Sequence, residues 1–213
     1  NINYAFTHPV TGKKLLLRVN CGSQMHLEHQ IEYEAHALRL MEGSGRTPKV
    51  LYVDGSKKIL EHGVLVMEYL PGHAMDYHTE LMLAAPCLAD IHSVPIPESE
   101  EILIHPQNPL KAILEECEEM FKVYLESPLG DGEKKTYIRE LLDLGWKREA
   151  EIQLESGYQC CINTELNSTN LLINGEEKSN YLIDWEKPLF GNPAQDLGHF
   201  LAPTTTFWKT DVI

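Results

Sequence analysis

The stretch that decides the fold is Cys161-Ile162-Asn163-Thr164-Glu165-Leu166-Asn167-Ser168-Thr169-Asn170-Leu171-Leu172-Ile173, followed by Tyr181-Leu182-Ile183-Asp184-Trp185-Glu186. Its first half is a polar loop that leads at Asn170 into an apolar strand, and Asn174-Gly175 then predicts a turn. Its second half is another apolar strand, which ends at Asp184. We therefore predict a short hairpin that brings Glu165, Asn170 and Asp184 to one of its ends.

These three side chains have the chemistry that phosphoryl transfer requires. One carboxylate can orient an acceptor hydroxyl, while an amide oxygen and a second carboxylate can hold Mg²⁺ on nucleotide phosphates. In this interpretation Glu165 serves the hydroxyl, and Asn170 and Asp184 are the metal ligands. A loop-capping asparagine and a strand-end turn carboxylate are the structural alternatives for the two metal ligands.

The same segment resembles the catalytic and metal-binding loops of the aminoglycoside phosphotransferase and choline kinase superfamily, whose members are relatives of the protein kinases. The family pattern is His-x-Asp-x-x-x-x-Asn, then a strand, then Ile-Asp-Trp or Ile-Asp-Phe. This chain keeps the spacing but has Asn163 where the His is expected and Glu165 where the catalytic Asp is expected. Asp196, in Pro-Ala-Gln-Asp-Leu-Gly-His-Phe, resembles the family's acid that braces the catalytic loop.

A second part of the resemblance lies near the start of the chain. Arg18 is a cation within an apolar strand, and the resemblance implies that it clamps nucleotide phosphates. Glu34 lies on the edge of a helix predicted from His26 to Met41, where the resemblance implies an ion pair that holds the strand cation. The structural alternatives are a solvent-facing Arg18, and either Glu32 as the partner or a solvated Glu34.

The run Val66-Met67-Glu68-Tyr69-Leu70-Pro71-Gly72 resembles the hinge between the two lobes of the family. The resemblance implies that backbone groups of Glu68, Tyr69 and Leu70 hydrogen-bond adenine. An ordinary edge strand followed by a turn is the alternative interpretation. His92, at the end of a predicted helix, is interpreted as structural because a helix-terminal imidazole often caps or packs.

The predicted fold class is α+β, a bilobal protein-kinase-like fold. Residues 1–71 are expected to form a small antiparallel β-sheet lobe with one helix, and residues 72–213 a mainly helical lobe. The pattern predicts a hairpin over 1–20, strands at 48–53, 59–60 and 64–70, and helices at 26–41, 78–92, 109–125 and from 137 towards 155. Pro86 predicts a kink or a break in the second of these helices. The resemblance also implies that the chain begins after the family's first strand and stops before helices that complete the acceptor pocket.

Composition limits the classes of partner. The formal net charge of −14 over 213 residues argues against nucleic acid or an anionic membrane, because both select a basic face. The five cysteines are odd in number and lack metal-ligand spacing, which favours a reduced, cytoplasmic protein over a disulfide scaffold. No stretch has the length and apolar character of a bilayer span, and the N-terminus has no signal-peptide pattern.

The function that these patterns favour is an ATP-dependent kinase that uses Mg²⁺ and a small hydroxylated acceptor, with GTP as an alternative nucleotide. Aminoglycosides, choline or ethanolamine, amino alcohols and sugars are all compatible with the motifs. The acidic runs Glu115-Glu116 and Glu118-Glu119 are either the solvated face of their helix or an attraction for a cationic acceptor. The competing class is a pseudokinase that binds nucleotide or a partner protein without turnover, because Asn163 and Glu165 depart from the family pattern.

Overall fold

A four-stranded antiparallel sheet with one helix forms the first part of the chain. The computed structural model describes residues 1–23, 25–152, 157–175 and 179–206. The strands are β1 (Ile2–Thr7), β2 (Lys14–Asn20), β3 (Val50–Asp54) and β4 (Gly63–Glu68), in the order β1-β2-β4-β3. The helix is α1 (Gln30–Met41). The predicted hairpin and sheet are therefore confirmed, with Asn3 opposite Arg18 in the first pair of strands.

In this part of the chain one predicted strand is wrong, and so are the predicted start of α1 and the predicted end of β4. Ile59-Leu60 is not a strand: both side chains are exposed and lie in the bend between β3 and β4, where no apolar surface covers them. Helix α1 begins at Gln30 rather than at His26, because His26 has a φ of +56°, outside the helical region. The strand predicted to reach Leu70 ends at Glu68.

The second part of the chain holds the predicted short hairpin. Strand β5 (His73–Ala74) pairs with β7 (Leu171–Asn174), which pairs with β8 (Ser179–Leu182), while β6 (Cys160–Ile162) pairs with β9 (Leu189–Gly191). All of these pairs are antiparallel, and Leu171 lies opposite Leu182. The hairpin is confirmed, although residues 176–178 of its connection lie outside the described residues. The side chains of Leu171, Leu182 and Trp185 are fully buried beneath it.

Helices make up most of the remaining structure. They are α2 (Leu81–His92), α3 (Pro109–Glu126), α4 (Gly132–Glu151), α5 (Ala194–Leu201) and α6 (Pro203–Thr206). Helix α2 starts three residues later than predicted and continues through Pro86, so the alternative of two separate helices is wrong. Pro86 and Met82 are both exposed, and water can therefore hydrate the carbonyl that proline leaves without a partner. Helix α4 ends at Glu151, and the predicted end near Glu155 lies outside the described residues.

The chain forms two compact units. One consists of Asn1–His105 and Tyr158–Ile213, and the other of Pro106–Gly157, which contains α3 and α4. The division into lobes of residues 1–71 and 72–213 stays a prediction. Over the described ranges, no helix combines the length and the apolar character of a membrane span.

Candidate active site

The hairpin brings the three residues of the predicted site together. The backbone N–H of Ile183 donates to the carbonyl of Asn170 at 2.8 Å, which places Asn170 and Asp184 side by side where β7 begins and β8 ends. Asn170 Nδ2 donates to the carbonyl of Glu165 at 3.0 Å. The carboxylates of Glu165, Asp184 and Glu186 offer oxygen atoms that all lie within 4.8 Å of one another.

Asn163, which replaces the expected His, links the loop to the end of β8. Its Nδ2 donates to the carbonyl of Asp184 at 2.8 Å, and its Oδ1 accepts the backbone N–H of Glu165 at 3.2 Å. The side chain is fully buried, so both of its polar ends need such partners. The departure from the family pattern at this position therefore leaves the loop anchored beside Asp184.

The buried carboxylate of Asp196 fixes the loop that precedes Glu165. Asp196 is inaccessible to solvent and accepts the backbone N–H groups of Asn163 at 3.0 Å and Thr164 at 2.8 Å. His92 Nε2 lies 2.9 Å from the same carboxylate. Thr164 has a φ of +65° and Asp184 a φ of +63°, and such left-handed backbone costs about 1 kcal/mol for a side-chain-bearing residue. These hydrogen bonds offset that cost at Thr164, as expected for a bracing acid.

Arg18 lies buried among three carboxylates. Its Nε is 3.0 Å from Glu34 Oε2, and its second guanidinium nitrogen, NH2, is 2.8 Å from Asp184 Oδ1 and 3.0 Å from Glu186 Oε2. The predicted ion pair with Glu34 is present, and a solvent-facing Arg18 is wrong because the residue is only 5% exposed. The ion pairs with Asp184 and Glu186 were not predicted. One guanidinium thus joins β2, α1 and the segment after β8.

Burial shifts the ionisation of the charged groups in this cluster. Burial raises the pKa of Glu34 to about 7; Arg18 opposes the rise, and Asp184 and Glu186 add to it. Burial acts to lower the pKa of Arg18, but the neighbouring carboxylates outweigh it and the pKa is raised. Burial also raises the pKa of Glu165, while Lys187 lowers it. Arg18 therefore remains a cation, and both acids ionise less readily than in water.

The raised pKa of Glu34 makes a prediction about stability. In the unfolded chain this carboxyl has the ordinary pKa of 4.5, so the folded state holds its proton more tightly between pH 4.5 and about 7. The stabilisation from that proton is complete below pH 4.5 and is lost as the pH rises through 7. Between pH 5 and 8 the free energy of unfolding of the wild type should fall by about 3 kcal/mol more than that of Glu34→Gln. Urea unfolding at four pH values measures both curves.

Glu42→Gln is the matched control, because Glu42 is an exposed carboxylate near the end of the same helix. Its curve should run parallel to that of the wild type. A Glu34→Gln curve that also runs parallel to the wild type would contradict the assigned pKa shift.

A cavity of about 300 Å³ lies beside the carboxylates and is large enough for a small ligand. Leu16, Met67, Leu172 and Ile183 give it apolar walls, and Arg18, Asn170 and Asp184 give it a polar end. All three predicted hinge residues, Glu68, Tyr69 and Leu70, border it. Lys14 Nζ lies 3.8 Å from the centre of the Tyr69 ring.

Gly72, next to this cavity, is a position that requires glycine. Its φ is +149°, and a Cβ there would meet the Ile173 carbonyl oxygen at 2.9 Å. Glycine therefore allows the chain leaving β4 to pass against β7.

The sequence interpretation missed Glu186 and Lys187. Glu186 pairs with Arg18, and Lys187 Nζ lies 3.9 Å from Glu165 Oε1. The two residues lie two and three positions after Asp184 in the chain, and this proximity was the one sequence signal available. It did not reveal which way the two side chains would point.

The family of the chain follows from a comparison of its sequence with family models. The model of the phosphotransferase enzyme family matches residues 1–212. The chain belongs to this family. The resemblance found in the Glu165 to Asp184 segment is thereby confirmed. No curated protein matches the sequence.

Solved structures share the fold of this phosphotransferase-family chain. An AMP complex of spectinomycin phosphotransferase is 18% identical, with a TM-score of 0.64, 97% of this chain covered and 69% of that one. Ethanolamine kinase of Plasmodium vivax is 15% identical, with a TM-score of 0.67 and coverages of 97% and 60%. Amicoumacin kinase in complex with AMP-PNP, Ca²⁺ and Ami is 12% identical, with a TM-score of 0.65 and coverages of 99% and 62%. These similarities confirm the protein-kinase-like α+β fold.

Proposed function

We propose that this chain is a small-molecule kinase that transfers the γ-phosphate of ATP to a hydroxyl group of its acceptor. The observation that supports the proposal most is that Asn170, Asp184 and the buried Arg18 border one cavity. The Glu165 carboxylate lies within 4.8 Å of that of Asp184. Membership of the phosphotransferase enzyme family supports the same reaction class.

The residues present fit a magnesium ion. Asp184 offers carboxylate oxygens, and Asn170, whose Nδ2 is engaged by the carbonyl of Glu165, keeps its Oδ1 as a ligand atom. Mg²⁺ prefers such oxygen ligands and is usually held by one or two of them together with substrate phosphates. When bound, the ion supplies neutralisation of phosphate charge. In the proposal Asn170 and Asp184 hold it.

The other groups bind and orient the nucleotide and the acceptor. Arg18, held by Glu34, contacts the phosphates, and the backbone of Glu68, Tyr69 and Leu70 binds adenine at the rim of the cavity. Glu165 orients the acceptor hydroxyl and takes its proton. A transition state of this kind asks little of its base, because positioning and charge neutralisation supply most of the catalysis.

The acceptor is proposed as a small hydroxylated molecule. The similar structures include spectinomycin phosphotransferase, ethanolamine kinase and amicoumacin kinase. The acceptors in these names, spectinomycin, ethanolamine and amicoumacin, all have hydroxyl groups and basic nitrogen. The net charge of −14 fits a cationic acceptor. We place the enzyme in the cytoplasm, because all five cysteines are free thiols.

The test is release of ADP from ATP, or of GDP from GTP, by the purified chain with Mg²⁺ over a panel of aminoglycosides, choline, ethanolamine and sugars. We expect release that depends on both the metal and one class of acceptor. The extra methylene of Glu165 and its raised pKa favour the pseudokinase as the second candidate. Tight binding of Mg²⁺-ATP without ADP release for any acceptor would select that alternative.

A further inference from the structure

Lys187 places a cation beside the proposed base. Its Nζ lies 3.9 Å from Glu165 Oε1, and the side chains of the two residues are 22% and 25% exposed. Both side chains are therefore partly shielded from water, and this shielding makes their ion pair stronger than one at an open surface. A substrate can still reach them. The sequence interpretation gave Lys187 no role.

The backbone fixes where both side chains start. Thr164 Oγ1 donates to the carbonyl of Lys187 at 2.6 Å, one residue before Glu165. Asn163 Nδ2 donates to the carbonyl of Asp184 at 2.8 Å. The loop before Glu165 and the segment that ends at Lys187 are thus joined at two points. These two hydrogen bonds keep the backbones of Glu165 and Lys187 close together, and the ion pair between the two side chains follows from that proximity.

Arg18 and Lys187 form ion pairs with different carboxylates of the cluster. Arg18 pairs with Glu34, Asp184 and Glu186, and Lys187 is the cation within 4 Å of Glu165 in the part of the chain that the structure describes. Glu165 lies within 4.8 Å of the Asp184 and Glu186 carboxylates, which repel it. Lys187 counters this repulsion and draws the Glu165 carboxylate to its own side.

Glu165 has a longer side chain than the aspartate of the family pattern, and a neighbouring cation can restrict its position. Glutamate has one more rotatable bond than aspartate, and its carboxylate is therefore less well placed unless a neighbour restricts it. A misplacement of about 1 Å at a reacting group can cost roughly 100-fold in rate. We infer that Lys187 is a positioning residue that holds the Glu165 carboxylate towards the acceptor hydroxyl, an inference that rests on the proposed function.

The step in which the pair acts forms one bond to phosphorus and breaks another. The acceptor oxygen forms a bond to the γ-phosphorus, and the bond from that phosphorus to the bridging oxygen breaks. The bridging oxygen keeps the electron pair and leaves as part of ADP. The hydroxyl proton passes to Glu165, whose carboxylate Lys187 holds in place. With water as the acceptor the same step yields ADP and phosphate.

The experiment uses water as the acceptor, since it needs no knowledge of the natural one. ADP release from Mg²⁺-ATP is measured for the wild type, Lys187→Met and Lys187→Arg. We expect Lys187→Met to lower kcat about tenfold, because the base is displaced, while KM for ATP stays within about twofold. Lys187→Arg keeps the cation and should stay close to the wild type. Lys111→Met, which breaks a 3.8 Å ion pair on α3, is the control and should change neither constant.

Repeating the measurement in a Glu165→Gln variant separates a positioning role of Lys187 from a purely structural one. In Glu165→Gln, followed under single-turnover conditions, Lys187→Met should cause no further loss, because the charge on which it acts is gone. A full tenfold loss in that background, a change in KM for ATP instead of kcat, or an unchanged kcat in Lys187→Met would each overturn the inference while leaving the proposed function standing. A wild type that releases no ADP with water or with any acceptor would overturn the proposed function, and this inference with it.

Discussion

Replacing Asp184, the proposed metal ligand, with Asn is expected to lower the rate of ADP formation by about 1,000-fold, since such a ligand supplies several kcal/mol of charge stabilisation in the transition state. The carboxylate lies at the polar end of the cavity beside Asn170 and is 2.8 Å from Arg18. An amide keeps the size of the side chain but loses its charge. Binding of ATP should therefore become insensitive to Mg²⁺, which a titration with and without the metal measures.

Asp90→Asn is the matched control for this variant. Asp90 is also paired with an arginine, Arg46, at 2.8 Å, but it is half exposed and does not border the cavity. The rate and the Mg²⁺ dependence of ATP binding should stay at their wild-type values. An Asp184→Asn chain that retains the Mg²⁺ dependence of ATP binding would remove Asp184 from the metal site.

Replacing Arg18 with Met is expected to lower the free energy of unfolding by about 3 kcal/mol at pH 8, because it leaves the buried Glu34 carboxylate without its cation. At pH 6 the loss should be smaller. The pKa of Glu34 is already raised to about 7, and without Arg18 it rises further, so Glu34 takes up a proton at little cost. Urea unfolding at the two pH values measures the difference. Affinity for ATP should fall at both.

The double variant Arg18→Met with Glu34→Gln tests the cause. A neutral partner removes the buried charge, so stability at pH 8 should recover in part while ATP affinity stays low. Arg39→Met, on the exposed face of α1, is the control and should alter neither quantity. An equal loss at pH 6 and pH 8 would show that packing, rather than the Glu34 charge, accounts for the effect.

The sequence predicted the hairpin and the proximity of Glu165, Asn170 and Asp184 because the signal there is local. Apolar strands on both sides of Asn174-Gly175 determine the pairing, and the pairing determines which residues lie at the open end. The Arg18–Glu34 pair was predicted from the resemblance, since spacing alone did not separate Glu34 from Glu32. The structure separates them: Glu34 is buried against Arg18, whereas the Glu32 carboxylate lies next to Gly55.

Other features depend on contacts that no local pattern contains. The position of Lys187 beside Glu165 follows from the hydrogen bond between Thr164 and the Lys187 carbonyl, which joins distant segments. The pairing of Arg18 with Glu186 likewise needs the sheet to lie over the end of β8. Ile59-Leu60 was wrongly predicted as a strand because a short apolar pair carries no information on whether a neighbour covers it.

The close approach of Gly72 to the Ile173 backbone connects two segments that line the cavity. Gly72 lies against the backbone of Ile173, and β5, which starts at the next residue, is hydrogen-bonded to the same strand. Leu172, on that strand, lines the cavity, as does Leu16 of β2. A movement that separated Gly72 from Ile173 would also disturb the adjacent β5–β7 pairing. The backbone at Gly72 and the cavity residue Leu172 are therefore held together by the same set of main-chain contacts.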